Sequence, residues 1–115
     1  MQNNHFKEFG NDAEERGVKF LETNGFIIVE RNFYAKKLGE IDIIAKRDDV
    51  LHFIEVKSSS SNDYEPIYNI TPTKLRRVIN SAQYYLKFKK IDMAFCIDAM
   101  VITPSGIELI ENVTL

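Results

Sequence analysis

The residues best equipped for chemistry are Asp42, Glu55 and Lys57, within the stretch Gly39–Lys57, GEIDIIAKRDDVLHFIEVK. That stretch reads as two strands, Glu40–Lys46 and Val50–Lys57, joined by Arg47, Asp48 and Asp49. A two-residue loop on Asp48 and Asp49, the commonest hairpin connection, places Asp42 directly opposite Glu55. The same register sets Ile44 against Phe53 and Glu40 against Lys57 on one face, and Ile41 against Val56 and Ile43 against Ile54 on the other. Carboxylates opposed across a ladder have Cβ atoms roughly 4.5–5.5 Å apart, and like charges there destabilise the pair. A cation between them removes the repulsion. A divalent metal is the natural occupant.

Side chains alternate along a strand, so Glu55 and Lys57 share a face while Val56 points into the core. Hard oxygen ligands, few in number and without a cysteine or paired histidine beside them, suit Mg²⁺ or Mn²⁺ better than zinc. Such an ion activates water and stabilises charge on a phosphoryl oxygen. A neighbouring lysine can orient that water, or act as a base if its pKa is depressed. The constellation is one that hydrolyses phosphodiesters.

Asp42 followed by Glu55-Val56-Lys57 resembles the PD-(D/E)XK nuclease core found in restriction enzymes and Holliday junction resolvases. GEIDIIA followed by FIEVK resembles, more narrowly, the small bacterial YraN-type, endonuclease-like family, from about Gly10 to near the C-terminus. The resemblance implies metal ligation by Asp42, Glu55 and the carbonyl of Val56, with Lys57 assisting the water. It implies a further site glutamate on the first helix, matched by Glu14 in GNDAEERGVKFL. DNA is the implied substrate, in branched or single-stranded form, and a homodimer is the arrangement seen in resolvases. The chain departs from the family pattern at Ser59 and Cys96, where arginine is usual, and lacks the glycine usual near Tyr64–Pro66. A DNA-binding module of the same fold that does no cleavage is therefore the alternative.

The whole chain of 115 residues fits one domain, with residues 1–9 expected as a mobile tail. No apolar run reaches membrane-spanning length, and the polar start lacks the apolar stretch of a signal peptide. One cysteine, Cys96, excludes an internal disulfide and fits a reducing cytoplasm; its apolar surroundings point to a buried, inert thiol. A net charge of −2 gives no overall attraction to nucleic acid, so any attraction must be local.

It is local. Between Pro66 and Ile91 there is no acidic residue, while Lys74, Arg76, Arg77, Lys87, Lys89 and Lys90 all fall there. TPTKLRRVINSAQYYLKFKK reads as a helix with Thr71 as N-cap and Pro72 at the first helical position. Leu75, Val78, Ile79, Ala82, Tyr85 and Leu86 form its buried stripe, leaving the basic residues toward solvent. Lys74, Arg76 and Arg77, with Lys36 and Lys37 before the hairpin, are the expected phosphate contacts. The first helix is expected from a cap at Asn11 or Asp12 to about Asn24, ended by Gly25, with Glu14 leaning toward the core. Strands are expected at Phe26–Asn32, Ala94–Ile102 and Ile107–Glu111, and His52 as a partly buried structural histidine. Helix, strands, helix, strands imply an α/β fold: a restriction-endonuclease-like core, with a mixed β-sheet flanked by helices on both sides.

Overall fold

The computed structural model describes residues 3–60 and 71–114, with residues 3–11 described through their backbone alone. Helix α1 spans Asn3–Thr23. It begins ahead of Asn11 and Asp12, so the expected caps lie inside it, and the expected tail is helical from Asn3. Gly10 also lies inside the helix, where a glycine costs only about 1 kcal/mol relative to alanine. The other end follows expectation. Gly25 takes φ 88°, its N–H donates to the Glu22 carbonyl, and the Phe26 N–H donates to that of Leu21. This pair of bonds closes the helix and turns the chain into the sheet.

The strands are β1 Ile27–Tyr34, β2 Glu40–Arg47, β3 Val50–Ser58, β4 Ala94–Thr103 and β5 Gly106–Ile110. They lie in the order β1-β2-β3-β4-β5. Helix α2, Pro72–Lys89, links β3 to β4, which pair in parallel, whereas the other neighbours are antiparallel. The sheet is therefore mixed, as expected for an α/β core of restriction-endonuclease-like form. A short 3-10 turn, Lys36–Leu38, joins β1 to β2.

The β2–β3 hairpin has the two-residue loop read from the sequence. Asp48 and Asp49 take φ 52° and 64°, as a turn with two left-handed central residues requires. Pairing runs from Arg47↔Val50 to Ile43↔Ile54. Both faces of the sheet are covered. One buries Ile43, Ala45, Ile54, Met100 and Ile102 against Ala13, Val18 and Leu21 of α1. The other buries Ile44, Leu51, Phe53 and Ile97 against Val78, Ala82 and Tyr85 of α2.

Gly17 lets α1 sit close on β4, since a Cβ there would fall 2.9 Å from Met100 Sδ. The expected N-cap of α2 is present: Thr71 Oγ1 accepts the Lys74 N–H at 3.1 Å. Among the described residues no helix is long and apolar enough to cross a membrane. Tyr64, Pro66 and Tyr68 lie outside the described residues.

Candidate functional site

The hairpin opens at Asp42. Its ladder ends at Ile43↔Ile54, one pair short of the expected opposition of Asp42 and Glu55. Here the Asp42 carboxylate enters the gap, with Oδ2 accepting the Val56 N–H at 2.8 Å. Ile41 then packs with the α2 cluster while Ile43 packs with the α1 cluster. The alternation that placed both on one face is thus broken at Asp42. A strand residue presents its N–H and C=O to the same neighbour, so the Val56 carbonyl also faces the Asp42 side.

Asp42 and Glu55 both line a cavity of about 470 Å³ between the hairpin and the start of α2. Burial pushes the Asp42 carboxyl up to about 6. The Val56 N–H opposes that shift, and the charges of Glu55, Glu14 and Glu40 add to it. Burial is thus the chief cause of the shift, with neighbouring carboxylate charge adding to it. Glu55 itself is paired, with Lys74 Nζ 2.5 Å from Oε2.

The pair ties Lys74, an expected phosphate contact, to a carboxylate of the chain itself. It holds Lys74 above the ordinary lysine range. The neighbouring Lys57 goes the other way, lowered chiefly by its contact with Lys74 and then by burial. Among the described residues there is no ion pair between Glu40 and Lys57, and Glu40 is exposed. Thr71, Thr73 and Arg77 also line the cavity, so the N-terminus of α2 faces it. Free N–H groups and the helix dipole favour an anion there.

The remaining candidates divide. Arg77 reaches the cavity, whereas Arg76 is exposed and does not line it. Lys36 and Lys37 are exposed in the turn leading to Leu38 and Gly39, which do line it. Glu14 is held by Arg31 at 3.0 Å, and Glu15 accepts from the same guanidinium at 2.9 Å. Glu14 acts on Asp42 through its charge but is not a cavity-lining residue.

A second polar cluster lies on the α1 face. His52 Nδ1 is 2.6 Å from Asp98 Oδ2 and 3.2 Å from Cys96 Sγ, and the thiol donates to Asp98 Oδ1 at 3.3 Å. The ligating atoms of the three residues lie within 4.8 Å of one another. His52 and Asp98 are buried; Cys96, expected to be buried, is only partly so. The cluster depends on the parallel register His52↔Cys96, which no local pattern announces. The Cys96-x-Asp98 spacing, with both residues on one strand face, was the only readable trace of it.

Comparison with known proteins gives the lineage. The model of the uncharacterised protein family UPF0102 matches residues 13–102. A UPF0102 protein of Sulfurovum sp. (strain NBC37-1) is 60% identical over 109 residues, covering 95% of this chain and 96% of its own. A UPF0102 protein of Wolinella succinogenes is 58% identical over 106 residues, covering 92% and 95%. One of Aliarcobacter butzleri is 49% identical over 110 residues, covering 95% and 98%. The matched span holds Glu14, the whole hairpin and α2, so the chain that builds this cavity belongs to the UPF0102 family.

Proposed function

We propose that this protein is a metal-dependent nuclease acting on DNA, with Asp42, Glu55 and the Val56 carbonyl holding Mg²⁺ or Mn²⁺. The observation that carries the reading is the convergence of Asp42 and Glu55 on one cavity, where Asp42 is pushed up by burial and by carboxylate charge. A set of carboxylate and carbonyl oxygens fits a hard divalent cation. When bound, the ion supplies Lewis-acid stabilisation of charge on a phosphoryl oxygen.

The other parts belong to the chain. Lys74 and Arg77, with the N-terminus of α2, offer positive charge and N–H donors to phosphate. Lys57, its pKa lowered, gives up a proton beside Glu55 more readily than an ordinary lysine. Glu14, tied to Arg31, tunes the charge around Asp42 from outside the cavity.

One observation favours a second reading. Lys74 already neutralises Glu55, as suits a module that binds DNA without cutting it. The deciding experiment is Mn²⁺ and Mg²⁺ titration of wild type, Asp42→Asn and Glu55→Gln, followed by incubation with linear, single-stranded and branched DNA. Cleavage that needs metal and is lost in both variants establishes the nuclease. DNA binding without cleavage at saturating metal establishes the module.

A further inference from the structure

We infer that His52, Cys96 and Asp98 form a second metal site, selective for a borderline-soft divalent ion of the Zn²⁺ kind. It is separate from the Asp42–Glu55 cavity and faces α1 rather than α2. The inference does not rest on the nuclease reading.

The first argument is the donor set. One imidazole nitrogen, one thiol sulfur and one carboxylate oxygen match zinc, and neither magnesium nor calcium takes nitrogen and sulfur together. Three protein ligands leave a fourth position open for water or another ligand. Cys96 is only partly buried, so the ion has a way in from that side.

The second argument is spacing. Zinc bonds of about 2.0–2.3 Å require ligand atoms roughly 3.3–3.6 Å apart in a tetrahedron. Here sulfur lies 3.2 Å from nitrogen and 3.3 Å from carboxylate oxygen, and nitrogen 2.6 Å from the other oxygen. The nitrogen–oxygen edge of 2.6 Å is a hydrogen-bond length and has to lengthen for an ion to enter. The parallel pairing of His52 with Cys96 holds the two ligands on adjacent strands.

The third argument is support and charge. Asn112 donates its backbone N–H to Asp98 Oδ1 at 2.9 Å. That fixes the carboxylate and leaves Oδ2 directed at His52, an outer bond of the kind that orients metal ligands. Phe26 stacks edge-on against His52 with centroids 4.9 Å apart, and the Arg47 guanidinium covers Phe26 at 4.1 Å. Arg47 is itself paired with Glu111. A divalent ion with one thiolate, one carboxylate and a neutral imidazole makes a neutral centre, which suits so enclosed a place. Without metal, burial and the Asp98 charge push the Cys96 thiol up to about 12, so the thiol is unreactive. On binding, sulfur forms the bond to the ion and its proton passes to solvent.

Co²⁺ is the probe, added to the full chain in one equivalent. The expected result is the near-ultraviolet thiolate-to-cobalt charge-transfer band in wild type and in Asp42→Asn, and its loss in Cys96→Ser. Zn²⁺ should displace Co²⁺ and bleach the band in wild type, a readout that needs no variant. Absence of the band in wild type shows a purely hydrogen-bonded tie and overturns the assignment. So does a band that persists in Cys96→Ser. Failure of the nuclease reading would show separately, as cleavage or Mn²⁺ binding indifferent to Asp42.

Discussion

Lys74 on α2 and Glu55 on β3 form an ion pair of 2.5 Å across the cavity, so the site contains its own cation. A divalent metal at Glu55 has to displace that ammonium. Lys74→Met is therefore expected to tighten Mn²⁺ binding several-fold, because the competitor is gone. The same change should weaken DNA binding and flatten the salt dependence of log K by roughly 0.9 for duplex DNA if Lys74 meets one phosphate. Calorimetry with Mn²⁺ and binding titrations at several salt concentrations check the two halves. Weaker Mn²⁺ binding in Lys74→Met would show that the lysine orders Glu55 rather than competing for it.

Asp42 should make the metal-free protein depend on pH in a defined direction. Its folded pKa of about 6 lies above the ordinary 3.8. The folded state therefore binds this proton more tightly than the unfolded one. The stability it contributes is fully present below the ordinary value and is lost as pH rises through about 6. Asp42→Asn keeps an acceptor for the Val56 N–H and has no charge to bury. Near pH 4 the two proteins should be alike. Above pH 6 the variant should be the more stable, by up to about 3 kcal/mol. Denaturant unfolding in chelator across this range is the measurement. Wild type more stable than the variant at pH 7 without metal would contradict the charge argument.

Lys57 is expected to act on the chemical step. Its amine is depressed by Lys74 and by burial, and acid–base assistance is typically worth about 10²–10⁴-fold. Lys57→Ala should lose turnover on that scale while Mn²⁺ and DNA affinities change little. Glu40→Gln should leave cleavage intact, since Glu40 is exposed and does not pair with Lys57. Equal, small effects from both substitutions would make Lys57 a structural residue.

The parts of this molecule legible in the sequence are those decided by local chemistry. Asp48 and Asp49 tolerate the left-handed conformation that a tight hairpin needs. Thr71 and Pro72 announced the start of α2, and its buried stripe followed from helical period. The register of the hairpin then carried Asp42 and Glu55 to the same region. What was hidden depended on contacts between elements distant in sequence. The pairing of Lys74 with Glu55 needs α2 to cross over the sheet, and Arg31 reaches Glu14 only once α1 has packed beside β1. The break at Asp42 escaped because strict alternation was assumed through it. There the side chain takes the Val56 N–H, and Ile41 swings to the α2 face. The early start of α1 escaped because Asn11 and Asp12 are good capping residues by type yet stand inside the helix.

Arg76 and Arg77 are adjacent in sequence but unequal in place, and that difference tests the phosphate reading of α2. Arg77 lines the cavity beside Thr73 and Lys74, whereas Arg76 is exposed and lies outside it. Successive residues on a helix point about 100° apart, so only one of the two can face a strand seated in the cavity. Arg77→Ala should weaken DNA binding on every sequence alike and reduce the salt slope by roughly 0.9 for duplex DNA. Arg76→Ala should change affinity by much less, because it contributes only to the wider field and is screened beyond about 10 Å at 0.1 M salt. Titration of one labelled duplex and one unrelated sequence, each at three salt concentrations, separates the two. Equal losses from both substitutions would mean that DNA lies across the outer face of α2 and not at the cavity. Arg76 and Arg77 would then share the phosphate contact with the exposed lysines farther along the helix.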